Sequence, residues 1–189
     1  MNKSSITRFL CIIGIGAVLL LASSLLLRYY GPNVSKSKSP SNEYTVAYNS
    51  IAKTIRVLDK QGKELYSEAV FEYVDFFWSA DSKYLALVGR WQGAQNGIET
   101  KIVEMKNGGI LCYRMPRYAF AVSTGYVVRG NFLAKEFVDE HGVLVEFMGY
   151  LDTGEQGWPR MVAGRFIFDT ENESIRELHF DQFPFDEFP

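Results

Sequence analysis

Cysteine and histidine are scarce in this sequence, which has two of each among 189 residues. Cys11 lies in a long apolar run and Cys112 in the more polar remainder, so we do not expect them to form a disulfide within one chain. His141 and His179 are far apart and belong to no HExxH motif or Cys/His cluster. The sequence therefore predicts no metal site, and no cofactor is expected.

The sequence also lacks the short motifs of common catalytic and phosphate-binding sites. It contains no GxSxG for a serine nucleophile and no GxxxxGK[ST] or GxGxxG loop for phosphate. Acidic clusters at residues 152–155 and 169–173 lack the spacing of an EF-hand and are interpreted as solvated turns. These absences predict a noncatalytic protein. A hydrolase-type enzyme remains the alternative, because a carboxylate pair can be brought together by folding alone.

Acidic residues are absent from the first 42 positions. Five of the 20 basic residues lie there, so residues 43–189 hold 15 basic residues against all 22 acidic ones, a net charge of -7. Nucleic-acid binding relies on clustered Lys and Arg that neutralise phosphates. The acidic balance of residues 43–189 therefore argues against nucleic acid as a partner.

Charge of either sign is absent from residues 9–27, which are mostly Leu, Ile, Ala and Gly. A helix over this run, at ~1.5 Å per residue, spans close to the ~30 Å hydrocarbon core of a bilayer. We predict a transmembrane anchor over residues 9–28 that contacts the lipid bilayer, preceded by a basic N-terminus over residues 1–8. The alternative is a signal peptide cleaved near Ala22, after which the domain would be secreted.

Apolar residues are sparse in residues 29–42, which are rich in Ser, Pro and Lys. Such a segment buries too little surface to offset its chain entropy, so a flexible tether is predicted. Positive charge flanks both sides of the predicted span, so it hardly decides the orientation. Short N-terminal anchors most often export the domain C-terminal to them. We expect a single-pass membrane protein whose domain, residues 43–189, is extracytoplasmic.

No long helical stripe is present in residues 43–189. Short segments rich in Val, Ile, Phe and Tyr alternate with turns at residues 60–62, 80–82 and 107–109. Consecutive strands joined by tight turns predict an all-β fold, an antiparallel meander. Residues 119–128 are interpreted as another strand, and residues 133–142 as a short helix or a loop.

Three hairpins repeat one pattern of apolar strand, polar turn and apolar strand. They occupy residues 55–66, 101–113 and 165–178, and their turns are roughly 46 and then roughly 64 residues apart, where a β-propeller blade is ~40–45 residues. The first spacing fits one blade. The second fits if an insertion is allowed, for which residues 130–142 are the natural candidate.

Residues 77–88, FWSADSKYLALV, resemble the first hairpin of the WD40-like repeat of TolB-type β-propellers. That family usually has Pro and Gly where this chain has Ala80 and Ser82. The resemblance implies a propeller-type fold and a binding role, with Trp78 and Leu85 packed between sheets. Closed propellers usually have at least four blades. The predicted domain is long enough for about three, so we expect a partial or open assembly of propeller-like hairpins.

The C-terminal run places large apolar side chains among acids and prolines, where a free tail would normally avoid them. These candidate interaction residues are Phe180, Phe183, Phe185 and Phe188. We expect the tail to dock on its own domain or on a protein partner. Together these patterns predict a noncatalytic, membrane-tethered interaction or sensing domain. A structural accessory subunit of a membrane complex is the alternative from another class.

The predicted orientation can be tested by proteolysis. Protease added to spheroplasts should remove the residues after the predicted anchor, because they are expected outside the cytoplasm. Immunoblotting of an epitope fused after residue 189 follows the cleavage. Protection in spheroplasts together with cleavage after lysis would contradict the orientation.

Overall fold

The computed structural model describes residues 34–91, 97–106, 109–152 and 160–183. The predicted basic N-terminus, the predicted anchor at residues 9–28 and the first part of the predicted tether lie outside these ranges. Among the described residues, no helix combines the length and the hydrophobicity that a membrane span requires. The anchor therefore stays a prediction.

The described residues form antiparallel β-structure with one short helix, which confirms the predicted all-β class. Each strand pairs with the strand that comes after it in the same sheet. The elements are β1 Val34–Lys38, β2 Tyr44–Asn49, β3 Thr54–Asp59, β4 Glu64–Trp78, β5 Tyr84–Trp91, β6 Glu99–Lys106, β7 Gly109–Arg114, α1 Pro116–Thr124, β8 Val127–Phe137, β9 Gly142–Asp152, β10 Arg160–Asp169 and β11 Ser174–Phe183.

Strand β4 belongs to two sheets. Its residues 64–69 pair with β3, and its residues 70–78 pair with β5. The first sheet therefore consists of β1, β2, β3 and residues 64–69, and the second sheet of residues 70–78, β5, β6 and β7. Strands β8 to β11 form the third sheet. Each sheet is a meander of four strands in chain order, and among the described residues the sheets do not close into a ring.

The second sheet is covered on both faces. Successive side chains on a strand point to opposite faces, and on β5 both sets are buried. Leu85 and Leu87 belong to the apolar cluster shared with the first sheet. Tyr84, Ala86 and Val88 belong to the cluster shared with helix α1 and the third sheet. The chain order of the sheets is therefore also their stacking order.

Helix α1 corrects the prediction of a strand over residues 119–128. Pro116 suits the first turn, where its missing N–H has no intrahelical partner to lose. Gly125 ends the helix with a φ of 74°, in the left-handed region that glycine adopts without strain. Phe120 is 1 % exposed in the cluster between the second and third sheets. In so short a segment, the apolar residues fit both the 3.6-residue period of a helix and the two-residue period of a strand. The sequence therefore did not distinguish helix from strand.

The interpretation of residues 133–142 as a short helix or loop is wrong for its first half. Strand β8 continues to Phe137 and pairs along its length with β9. A short turn joins the two strands, closed by the N–H of Val138 donating to the carbonyl of Gly142 at 2.9 Å. The insertion between propeller-like hairpins was expected at residues 130–142. The element that lies between the second and third sheets along the chain is instead helix α1.

Part of the predicted tether is also wrong. Residues 34–38 form β1, whose backbone pairs with β2 from Val34 opposite Asn49 to Lys38 opposite Thr45. The polar side chains of β1 carry no hydrophobic signal. Its structure comes from backbone hydrogen bonds to a neighbouring strand, which composition alone does not reveal.

The turn after β1 and the turn after β4 have the same structure, forty residues apart. Ser39 N–H donates to the Tyr44 carbonyl at 3.0 Å, and Ser79 N–H donates to the Tyr84 carbonyl at 2.9 Å. Each serine hydroxyl also accepts the N–H of its tyrosine, at 3.1 and 2.8 Å. The TolB-like turn at residues 79–84 is therefore a repeated element, and β1 begins the first repeat.

Phe120 should be the residue through which helix α1 stabilises the fold. Phe120→Ala is expected to lower the free energy of unfolding by roughly 3–5 kcal/mol, since it removes a fully buried ring. Val122→Ala on the same helix should change it by less than about 0.5 kcal/mol, because Val122 is 87 % exposed. Urea titration followed by circular dichroism measures both. Equal effects would contradict the described packing of the helix.

Candidate functional site

The first strand of each sheet ends at one common place. These strands are β1, residues 70–78 of β4, and β8, and a cleft of about 690 Å³ lies where their carboxyl ends meet. We call it the strand-end cleft. Its lining includes Ser37, Phe76, Phe77, Trp78, Glu136, Phe137 and Glu140. No single hairpin could build it, because its walls come from three sheets.

The aromatic wall of the cleft results from strand alternation. Phe76 and Trp78 pack against the cluster between the first and second sheets, and Phe77 packs against the cluster between the second and third. Trp78 stacks on Tyr44 with ring centroids 6.3 Å apart and an interplanar angle of 16°. Trp78 thus lies between two sheets as the resemblance implied, but it is only partly buried, whereas Leu85 is fully buried.

The indole N–H of Trp78 is buried and has no hydrogen-bond partner within the part of the chain that the structure describes. An unpaired buried donor usually costs about 1–3 kcal/mol. Buried polar groups without a partner are uncommon in native proteins. This donor is therefore a point where an acceptor, brought close by a small shift of the cleft wall, would gain a hydrogen bond.

The opposite wall of the cleft carries carboxylates from the end of β8 and the turn after it. Glu136 and Glu140 are exposed. Glu136 makes no ion pair within the described ranges, and Glu140 lies 4.0 Å from the imidazole of His141. Exposed carboxylates beside aromatic faces can together hold an ammonium or guanidinium group, by charge and by the cation–π interaction.

Asp139 has a different role from its two acidic neighbours. Its carboxylate accepts the N–H of His141 at 2.9 Å and that of Gly142 at 2.5 Å, and Arg176 donates to it at 2.9 Å. The His141 N–H hydrogen bond, together with the contacts with Arg176 and Gly142, holds the pKa of Asp139 below its usual range. Asp139 therefore stays ionised and fixes the turn from which Glu140 projects.

The third sheet is fixed against the second by hydrogen bonds near the middle of β8. The buried hydroxyl of Thr100 donates to the Phe132 carbonyl at 2.9 Å and accepts the N–H of Ala134 at 2.7 Å. The Phe132 N–H donates to the carbonyl of Ile98 at 2.8 Å. These bonds set where β8 ends relative to β4, and hence the position of Glu136 opposite Trp78.

The shifted carboxyl groups do not resemble catalytic acids. Burial opposes ionisation of Asp169, but hydrogen bonds from Asn172 and Glu171 outweigh it, so the pKa of Asp169 lies below its usual range. The pKa of Asp139 is lowered as well. A general acid at neutral pH needs a raised pKa. Both pKa values are therefore lowered, as expected for carboxylates that accept hydrogen bonds within turns.

The residues predicted from the C-terminal run are not part of the cleft in the described ranges. Phe180 packs in the core of the third sheet, with its ring centroid 6.2 Å from that of Phe120 and 6.3 Å from that of Phe147. Phe183 ends β11, and its backbone pairs with Met161. Phe185 and Phe188 lie outside the described residues. An interaction role for these positions stays a prediction.

Sequence reasoning missed the cleft, although two signals for it are present. One is the aromatic triplet at residues 76–78, and the other is the acidic run that begins at Glu136 and ends at Glu140. Each is ordinary alone, because aromatics fill β cores and acids are common in turns. The two groups lie close together only because two sheets pack against each other, and no local sequence pattern encodes that packing.

Comparisons with known proteins identify no family, because no family model and no curated protein matches the sequence. Similar solved structures include hydrazine synthase of Kuenenia stuttgartiensis, with 14 % identity, 79 % of this chain and 41 % of that chain covered, and a TM-score of 0.44. TolB of Acinetobacter baumannii has 13 % identity, 77 % and 32 % coverage, and a TM-score of 0.43. The β-propeller domain of Cps50 (Swd1) of Myceliophteria thermophila has 11 % identity, 79 % and 57 % coverage, and a TM-score of 0.37.

This chain therefore spans about a third to somewhat over half of the length of those proteins. The similar structures include TolB and a propeller domain, which is consistent with the resemblance to a WD40-like or TolB-type fold predicted from residues 77–88. At this identity the likeness concerns the fold alone.

The turn that carries Glu140 should weaken in acid through Asp139. Because the pKa of Asp139 is lowered on folding, its contribution to stability is present above the unfolded-state pKa and is lost as the pH falls through the folded-state pKa. Asp139→Asn should therefore lower the melting temperature at about pH 7 and make much less difference near about pH 3. Differential scanning calorimetry at both pH values measures this. Glu140→Gln serves as the control, and the same pH dependence in that variant would contradict the assignment.

Proposed function

We propose that this protein is a noncatalytic interaction domain, tethered to a membrane by residues 9–28, that binds an extended segment of a partner protein in the strand-end cleft. One observation carries the proposal: aromatic side chains and exposed carboxylates from three separate sheets line one cleft. Sequence patterns support the tether, through the apolar run of residues 9–27.

The cleft suits a segment that carries a basic side chain next to an apolar one. Its volume of about 690 Å³ lies within the usual range of binding pockets. Trp78 and Phe137 offer apolar contact, while Glu136 and Glu140 offer negative charge at the rim. Lys or Arg would place its charge at the carboxylates and its apolar stem along the rings.

A noncatalytic role is favoured over the enzyme alternative by the same residues. The acids of the cleft are exposed or engaged in a turn. Binding needs no raised pKa and no nucleophile, and the cleft offers charge, apolar surface and a hydrogen-bond donor. A bound partner segment would accordingly be released without chemical change.

Selection from a phage-displayed library of random short peptides tests the proposal. Peptides that bind the protein should be enriched in Lys or Arg beside an aromatic or aliphatic residue. The double variant Glu136→Gln with Glu140→Gln should weaken binding of a selected peptide roughly tenfold, as expected for losing two charge contacts at a partly exposed site. Fluorescence anisotropy measures the affinity. Mass spectrometry after incubation with the protein should show the peptide at its uncleaved mass.

Glu72→Gln is the matched control, because Glu72 is an exposed carboxylate on β4 that does not line the cleft. It should leave the affinity unchanged. Equal binding by wild-type protein and the double variant would contradict the cleft as the binding site. A cleaved peptide would contradict the noncatalytic role.

A further inference from the structure

The amino ends of three strands lie at the end of the domain opposite to the strand-end cleft. These strands are β1, residues 70–78 of β4, and β8, whose carboxyl ends meet at the cleft. The turn after β2 lies at the opposite end as well, because Asn49 at the end of β2 pairs with Val34 at the start of β1. We call this part of the domain the entry end, since the chain enters the first sheet there.

Exposed apolar side chains gather at the entry end. Ile51, in the turn after β2, is 64 % exposed, and Phe71, near the start of the second sheet, is 58 % exposed. Tyr126 and Val127, at the start of β8, are 39 % and 53 % exposed. Clustered exposed apolar residues on a soluble surface usually mark a site that binds a protein or a membrane.

Backbone geometry holds two of these side chains at the surface. Phe71 is the extra residue of a β-bulge, because Val70 and Glu72 on either side of it pair with consecutive residues of β5. The N–H of Val70 donates to the carbonyl of Lys53 at 2.8 Å, which joins the bulge to the turn that carries Ile51. Phe71 and Ile51 therefore belong to one connected part of the entry end.

The two ends of the domain differ in charge. Exposed basic residues at the entry end are Lys53, Arg90 and Arg160, with Glu72 as an exposed acid beside them. The described turns at the cleft end hold more acids than bases, namely Glu43, Asp81, Asp139, Glu140, Glu171 and Glu173 against Lys60, Lys63 and Lys83. A surface that carries anionic lipids would therefore attract the entry end and repel the cleft end.

We propose that the entry end rests on the surface of the lipid bilayer, with Ile51, Phe71, Tyr126 and Val127 among the lipid headgroups. The inference rests on the membrane tether of the proposed function and is independent of peptide binding in the cleft. It places the strand-end cleft on the side away from the membrane, where a partner segment can reach it.

The length of the tether favours lipid as the contact. The chain from Leu27, where the apolar run ends, to Val34, where β1 begins, has seven peptide links. Such a chain reaches up to about 25 Å. If residues 9–28 span the bilayer, Val34 stays close to the headgroups, and Ile51 lies two residues beyond its cross-strand partner Asn49. The tether thus keeps the bilayer near the surface that exposes apolar side chains.

The side chains of the entry end suit the interfacial region of a bilayer. Aromatic rings are favoured there, because an apolar body faces the acyl chains while a polar tip such as the Tyr126 hydroxyl stays among the headgroups. Lys53 and Arg90 can extend their stems along apolar surface and keep their charges in water. Affinity for an interface grows with the buried apolar area and with attraction to anionic lipid, and the entry end offers both.

Fluorescence quenching by labelled lipid, in full-length protein held in nanodiscs, tests the contact. In a background with Cys11→Ser and Cys112→Ser, a fluorophore is attached to one cysteine, introduced as Ile51→Cys, Phe71→Cys or Lys63→Cys. Phosphatidylcholine with a nitroxide on its headgroup should quench the fluorophore at positions 51 and 71 several-fold more than at position 63. Lys63 is the control, because it is exposed in the turn after β3 at the cleft end.

A matched pair of variants tests the apolar side chains themselves. With the fluorophore at position 71, Ile51→Asp with Val127→Asp should reduce the quenching to the level of position 63, since a carboxylate is costly to remove from water. Ile51→Leu with Val127→Leu should preserve the quenching. Both replaced residues are exposed, so circular dichroism should show the same folded domain in every variant.

The outcomes separate this inference from the tether. Protein that fails to enter the nanodiscs would overturn the tether and this inference together. Protein in the discs with equally weak quenching at positions 51, 63 and 71, or with stronger quenching at position 63, would overturn the docking alone. Quenching that the aspartates leave unchanged would also overturn it. Protection of position 71 from iodide in solution, without quenching by lipid, would assign the surface to a second copy of the chain.

Discussion

The burial of the second sheet on both faces is the constraint on which the other parts of this domain depend. Strand β5 supplies side chains to one apolar cluster on each side, and nearly all of its residues are buried. The first and third sheets are each held by one face against this central layer. Their first strands then end beside the end of β4, and the strand-end cleft is formed without any element dedicated to it.

Much of the strand pattern could be predicted from the sequence, because the hairpin turns have specific local chemistry. The turn at residues 79–84 combines a serine hydroxyl that accepts a backbone N–H, an aspartate that caps the turn, and Ser82 at a φ of 64°. These local interactions are encoded within six residues. The similar turn at residues 39–44 was missed, since Ser41 stands where the other turn has Asp81 and the flanking β1 is polar.

The cleft and the helix could not be predicted in the same way. Phe120 is helical because it fills the space between two sheets, which short-range periodicity does not record. Glu136 and Trp78 are more than fifty residues apart in the sequence. Their proximity depends on Thr100, whose single hydroxyl bridges the second sheet to two backbone groups of β8. A threonine in a strand gives no sequence signal for such a role.

The double burial of the second sheet has a consequence for biosynthesis. The second sheet ends at Arg114, but the sheet that covers its other face ends at Phe183. At ~5–20 residues per second, the nascent chain would present Tyr84, Ala86 and Val88 to the cytosol or the translocation machinery for about 3–14 seconds before their cover is complete. Helix α1 is made first and needs no distant partner strand for its backbone. It can therefore shield part of that surface while the ribosome completes the third sheet, which would limit aggregation during synthesis.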